Sequence, residues 1–141
     1  QGSDPGTDLR DLGMFSVLQL LWLSTTHVRT CKKIFRFAME DGNEMGAAGH
    51  GFPFATALIS FSRICLEAMR CGSVVPEMNR RGSVESVLHD LFLGMLMEFY
   101  KEWRSKEMSV TKGDYQGALE IVEKKALHSP ASVLRTARDG H

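Results

Sequence analysis

Hydrophobic residues recur every three or four positions along most of this chain, which is the spacing of one face of an α-helix. The pattern is clearest in residues 14–23, 31–38, 53–68, 83–103 and 114–126. No alternation of apolar and polar residues, which would indicate a strand, persists for more than a few positions, and no sequence repeat occurs. The pattern predicts an all-α fold in which about six to seven helices form one compact domain.

The longest predicted helix starts at Ser83, whose hydroxyl can cap the first turn. Its apolar positions extend over so much of its surface that we expect a central, long hydrophobic helix. One side carries Val84, Val87, Leu88, Leu91, Met95, Phe99 and Trp103, and Phe92, Leu96 and Tyr100 widen this side. Asp90 and Glu98 interrupt this set. A carboxylate close to a core usually pairs with a cation, and we expect Arg63 or Lys101 to serve.

Two helices are predicted between Gly13 and the glycine-rich segment that begins at Asp41. The first would bury a face made of Met14, Val17, Leu18 and Leu21, with Phe15 and Trp22 beside it. The second would be capped by Thr25 or Thr26 and would bury Cys31, Ile34, Phe35 and Ala38. Its opposite face carries Arg29, Lys32, Lys33 and Arg36, and a one-sided charge of this kind is typical of a solvated helix surface.

Turn-forming residues divide the rest of the chain. The glycine-rich residues 41–51 predict a mobile loop, after which Pro53 starts a helix that Gly72 ends. Residues 73–82 predict a second loop. Asp114 can cap another helix, and Ser129 with Pro130 starts a last short one that ends near Arg138.

Composition excludes several classes of function. Lysine plus arginine equals aspartate plus glutamate at 17 each, so the chain lacks the basic excess of a nucleic-acid-binding protein. Its histidines and cysteines do not have the spacing of metal ligands, and no phosphate-binding loop, dinucleotide fingerprint or nucleophile elbow occurs. The longest apolar run is too short to cross a bilayer, so no transmembrane segment is expected.

The first thirteen residues, QGSDPGTDLRDLG, concentrate several conformationally special residues around one arginine. Asp4 followed by Pro5 predicts a helix start, and Gly13 predicts its end, which gives a short helix from Pro5 to Leu12 of about two turns. Arg10 would lie near its end, between two aspartates. Such an arginine either makes an ordinary surface ion pair or is held ready for a phosphate group.

This segment resembles the signature of the ELMO (engulfment and cell motility) domain family, QG-x-DP-x-TD-x-RG-x-G. The matching residues are Gln1, Gly2, Asp4, Pro5, Thr7, Asp8, Arg10 and Gly13. Leu9 replaces the usual aromatic residue, and Asp11 replaces the glycine that normally follows the arginine. The segment from Phe52 to Ala55 resembles a second family pattern. On this resemblance residues 1–141 form an ELMO domain, and because the family has helical residues before the signature, we expect its N-terminal part to be lacking.

The resemblance implies action on small GTPases. ELMO-domain-only proteins act as GTPase-activating proteins for Arf and Arf-like GTPases, and the signature arginine is their proposed catalytic residue. Arg10 would then be supplied in trans to the partner's nucleotide site. GTP and Mg would be bound by that GTPase, so the domain would have no cofactor of its own and would be an activator without a nucleotide site.

The other signature residues would support Arg10. Asp4 and Pro5 would set the helix, Asp8 would hold the guanidinium, and Gly13 would let the next helix pack tightly. The expected location is the cytoplasm, at membranes or the cytoskeleton. The resemblance also leaves an alternative: a binding or regulatory module without catalysis, similar to the ELMO scaffold proteins that work with DOCK exchange factors, built into a larger assembly. Asp11 favours this alternative, because an adjacent carboxylate could hold Arg10 in an internal pair.

Overall fold

The computed structural model of the protein describes residues 5–39 and 51–139, and within these ranges it contains seven α-helices, one short 3₁₀ turn and no strand. The helices are α1 (Pro5–Thr26), α2 (Val28–Ala38), α3 (Phe54–Arg70), α4 (Val75–Arg81), α5 (Val84–Ser105), α6 (Asp114–His128) and α7 (Pro130–Asp139), and the 3₁₀ turn is Val110–Lys112. The predicted all-α, single-domain fold is confirmed. The loop predicted at residues 41–51 lies outside the described residues except for Gly51.

The helix α5 supplies ten buried residues and packs against α1, α3, α4, α6 and α7. Aromatic rings fill the core beside its C-terminal half: the Phe99 ring lies 4.9 Å from that of Phe52 and 5.4 Å from that of Trp103. Such pairs add to the free energy of burying their apolar surface. Its closest neighbour is α7, because a Cβ placed at Gly94 would lie only 2.2 Å from the Val133 carbonyl oxygen.

The predicted short helix from Pro5 to Leu12 is wrong, because α1 continues without a break through Gly13 to Thr26. Gly13 is helical, and it is not among the glycines of the described chain that have positive φ. Glycine permits a left-handed helix end without requiring one. No described atom lies within 4 Å of a Cβ built at Gly13, so the described residues show no close contact at this glycine and its packing role stays a prediction.

The predicted buried face of α1 is exposed. Met14, Val17, Leu18 and Leu21 retain between 54% and 62% of their accessible surface. The inner face carries Ser16, Gln19 and Leu23, with Phe15 and Trp22 half-buried at its edge. The Ser16 hydroxyl donates a hydrogen bond of 2.9 Å to the hydroxyl of Ser62 on α3, so a polar contact lies on the side that α1 turns towards the core.

Helix starts were predicted with mixed success. Ser83 caps α5 as expected, since its hydroxyl accepts a hydrogen bond from the Ser86 backbone N–H at 3.1 Å. Neither predicted threonine caps α2: its N-cap is His27, and the Thr25 hydroxyl donates back to the Leu21 carbonyl at 2.8 Å. The N-cap of α6 is Gly113, and Asp114 is the first residue of the helix.

The loop predicted at 73–82 contains α4, and this helix supplies the partner of one of the two partly buried carboxylates of α5. Arg81 of α4 pairs with Asp90 at 2.8 Å, while Glu98 pairs with Lys125 of α6 at 3.0 Å. The expectation of cationic partners is therefore confirmed, but neither partner is Arg63 or Lys101. Arg63 instead lies 3.5 Å from Glu123.

Candidate functional site

The predicted site lies at the start of α1. Gln1, Gly2 and Asp4 lie outside the described residues, and for Pro5, Thr7, Asp8, Arg10 and Asp11 the backbone alone is described, as the first turns of α1. The catalytic role of Arg10 and the supporting roles of the other residues therefore stay predictions. Helical residues two apart do not face each other, so the geometry lends no support to the predicted contact between Asp8 and Arg10.

The continuous helix fixes which face carries position 10. At about 100° per residue, position 10 is in register with positions 14, 17 and 21. Those positions are Met14, Val17 and Leu21, all exposed. Together with Leu18 they form the α1 stripe, an apolar surface about 10 Å long that begins one turn after position 10. Contiguous exposed apolar residues commonly mark an interaction surface.

A groove of about 600 Å³ runs beside the α1 stripe, between α1 and the N-terminal half of α5. Its α1 wall contains Phe15, Leu18 and Trp22, and its α5 wall contains Val84, Leu88 and His89. The His89 imidazole stacks on the Trp22 indole, with ring centroids 4.3 Å apart and ring planes inclined by 19°. Position 11 is in register with Leu18 and Trp22, on the side of α1 that faces this groove.

The groove is largely apolar, with the carboxylate of Glu85 at its edge. Burial lowers the pKa of His89 from its ordinary value, and the nearby carboxylates of Glu85 and Asp90 offset this only in part. The imidazole is therefore mainly neutral at pH 7. The Oε1 atom of Gln19, which lines the groove, is buried and has no hydrogen-bond partner among the described residues. This buried amide therefore belongs to the packing of α1 against the rest of the domain and is not presented to a ligand in the groove.

The described ranges show no metal site, and two of the three free thiols are buried. Residues 5–39 and 51–139 contain no group of three histidine, cysteine or acidic side chains that could hold a metal ion. Cys31 and Cys65 are buried, and burial raises the pKa of both thiols. None of the described helices combines the length and the hydropathy needed to cross a membrane. The α1 stripe and its groove are therefore the strongest candidate site in the described part of the chain.

Comparison with known proteins assigns the family. Residues 1–116 match the ELMO/CED-12 family, which covers most of the chain. The chain belongs to this family. It is 28% identical over 142 residues to ELMO domain-containing protein 3 of Mus musculus, covering 99% of this chain and 35% of that protein. It is 27% identical over 139 residues to the Homo sapiens protein of the same name, covering 96% of this chain and 34% of that protein. The ELMO chain thus spans about a third of the length of these relatives, and no solved structure matches it.

Reasoning from the sequence missed the groove and misplaced the α1 stripe. The available signal was polar: Ser16 and Gln19 interrupt the apolar run of this ELMO domain three residues apart, on one helix face. Both are buried, at 6% and 2% exposure. Two polar residues on a common face of an apolar helix can mark the side that makes specific buried hydrogen bonds.

Proposed function

We propose that this ELMO domain is a GTPase-activating protein for Arf or Arf-like small GTPases and that Arg10 is supplied in trans. The main support is the register of α1, in which position 10 shares a face with Met14, Val17 and Leu21. A protein partner that covers the α1 stripe would lie beside position 10. The resemblance of the signature around Arg10, together with the family membership, supports a small GTPase as the class of partner.

In this mechanism the GTPase holds GTP and Mg and performs the hydrolysis. The Arg10 guanidinium enters the nucleotide site and neutralises negative charge that develops on the phosphate oxygens. Its planar fork can contact two oxygens and stays charged at any physiological pH. An arginine supplied in this way accelerates hydrolysis by about 10³ to 10⁵. The apolar contact of the α1 stripe would exclude water and position the arginine.

A second candidate is a binding or regulatory ELMO module without catalysis. Such a module could also be part of a larger assembly. The observation that favours it is Asp11, which stands where the family has glycine. A carboxylate about 5 Å from the guanidinium would attract it by ~0.8 kcal/mol in water and would repel a triphosphate similarly. This energy is small compared with the transition-state stabilisation that an arginine supplied in trans provides, so we prefer the activating function.

Single-turnover GTP hydrolysis with a panel of Arf-family GTPases tests the proposal. We expect wild-type protein to accelerate hydrolysis on at least one GTPase and Arg10→Ala to abolish the acceleration while retaining binding. Arg29→Ala is the matched control, because it removes an exposed arginine from α2. Met14→Asp with Leu21→Asp should weaken binding itself, since both substitutions place charge on the α1 stripe.

The outcomes separate the two candidates. Acceleration that survives Arg10→Ala would refute the arginine mechanism. Binding of a GTPase without acceleration by wild-type protein would favour the regulatory module. If Asp11→Gly then restored acceleration, Asp11 would be identified as the inhibitory residue. We expect the domain to act in the cytoplasm, next to the membranes or cytoskeleton where its GTPase operates.

A further inference from the structure

A cavity of about 460 Å³ lies on a different part of the surface, where α2, α5 and α7 meet. Each helix contributes one cation: Lys33 from α2, Lys101 from α5 and Arg135 from α7. In the described part of the chain, none of the three forms an ion pair with a carboxylate. We refer to this feature as the basic cavity.

The concentration of positive charge is local, because the chain as a whole carries equal numbers of basic and acidic residues. The acidic residue that lines the basic cavity is Asp139, which lies 3.5 Å from the neighbouring Arg138. Nearby Glu98 already pairs with Lys125 and accepts a hydrogen bond from Thr136. The three lining cations therefore share a site in which the neighbouring acids already have partners.

Hydroxyl groups complete the lining. Thr30, Ser132 and Tyr100 contribute one each. The Tyr100 oxygen accepts a hydrogen bond from Arg104 at 3.2 Å, which leaves its own proton available for a ligand. The Lys33 ammonium lies 5.6 Å from the centre of the Tyr100 ring, so the aromatic face holds it over the cavity.

The rim extends the same charge. Arg29 and Arg36 lie four residues before and three residues after Lys33, on the same exposed side of α2. A single carboxylate would need only one arginine as a partner. Cations that converge from three helices are therefore better suited to a ligand that carries several negative groups. The volume falls within the range of small-molecule sites.

We propose that the basic cavity binds a polyphosphorylated ligand of the inositol phosphate class, either as a phosphoinositide headgroup or as a free inositol phosphate. Lys33, Lys101 and Arg135 contact the phosphates, and the three hydroxyls donate hydrogen bonds to them. This site is separate from Arg10 and does not depend on GTPase activation.

Binding of inositol hexakisphosphate by isothermal titration calorimetry tests the site directly. We expect a saturable isotherm with one ligand per chain. The triple variant Lys33→Ala, Lys101→Ala, Arg135→Ala should bind about a hundredfold more weakly, on the basis of roughly fivefold for each cation. The control triple variant Arg63→Ala, Arg70→Ala, Lys124→Ala removes the same charge outside the cavity and should bind like wild type. Circular dichroism verifies that both variants remain helical.

Vesicle sedimentation distinguishes the two sources of phosphate. The probes are phosphatidylcholine vesicles that contain either phosphatidylinositol bisphosphate or phosphatidylserine at equal surface charge. Preference for the bisphosphate identifies a lipid headgroup, whereas calorimetric binding without vesicle binding identifies a free inositol phosphate, and both support the proposal. Equal binding to the two vesicles, equal weakening in the two triple variants, or no binding of either probe would overturn it.

Discussion

A methyl group added at Gly94 would test how closely α5 and α7 pack. The added Cβ would lie 2.2 Å from the Val133 carbonyl oxygen and 2.8 Å from its Cγ1 atom. The side chain could move, but the carbonyl belongs to the backbone of α7. Relief therefore requires the two helices to separate by about 1 Å, which loosens a contact on which the basic cavity also depends.

The expected cost follows from two opposing effects. Alanine is favoured over glycine inside a helix by ~1 kcal/mol. Overpacking a filled core costs ~1 to 3 kcal/mol, and a backbone clash belongs at the upper end of that range. We therefore expect Gly94→Ala to lower the free energy of unfolding by about 2 kcal/mol.

Urea denaturation followed by circular dichroism measures this change. With a slope of about 2 kcal/mol per molar urea, the midpoint should fall by about 1 M. The matched control is Gly117→Ala at an exposed position of α6, where no described atom lies within 4 Å of the new Cβ and stability should rise by ~0.5 to 1 kcal/mol. If Gly94→Ala were as stable as wild type or as the control, the close packing of α5 on α7 would be refuted.

Four further substitutions test other positions by the same unfolding measurement. Leu23→Ala should cost ~2 to 5 kcal/mol because Leu23 is buried, whereas Leu21→Ala on the exposed face should change stability by less than ~0.5 kcal/mol. Ser83→Ala removes the cap of α5 and should cost ~1 kcal/mol. Burial tends to raise the pKa of Glu98, but its hydrogen bonds with threonine and lysine lower it overall. Above the ordinary pKa of glutamate, wild type should therefore be more stable than Glu98→Gln. This difference in stability should disappear as the pH falls through the lowered pKa of Glu98, which unfolding measured across acidic pH will show.

The parts of the fold that follow from local sequence were predicted well. In α3 the apolar residues placed on one face by the helical period are all buried, from Phe54 to Ala68. Ser83 caps α5 because the hydroxyl and the first turn are neighbours in the chain. Such features need no knowledge of what the helix packs against.

The parts that depend on neighbouring helices were not predictable in this way. Asp90 was expected to need a cation, but its partner Arg81 lies on α4, in a segment with too few apolar residues to predict a helix. The close approach at Gly94 also could not be predicted from the sequence, because the apolar pattern of α5 does not indicate that α7 packs against this glycine. Contacts between residues far apart in the sequence depend on how all the helices pack together.

The α1 helix shows how such an error affects a functional argument. Hydrophobicity alone assigns Met14, Val17, Leu18 and Leu21 to the core, and Gly13, interpreted as a helix end, separates them from Arg10. In the structure the helix is continuous, the apolar set is exposed, and Ser16 on the inner face bonds to Ser62. Under the proposed function, binding and catalysis would be geometrically linked, because a partner seated on the α1 stripe would lie within one helical turn of position 10. Substitutions on the stripe should therefore reduce GTPase binding and activation together, whereas Arg10→Ala should separate them.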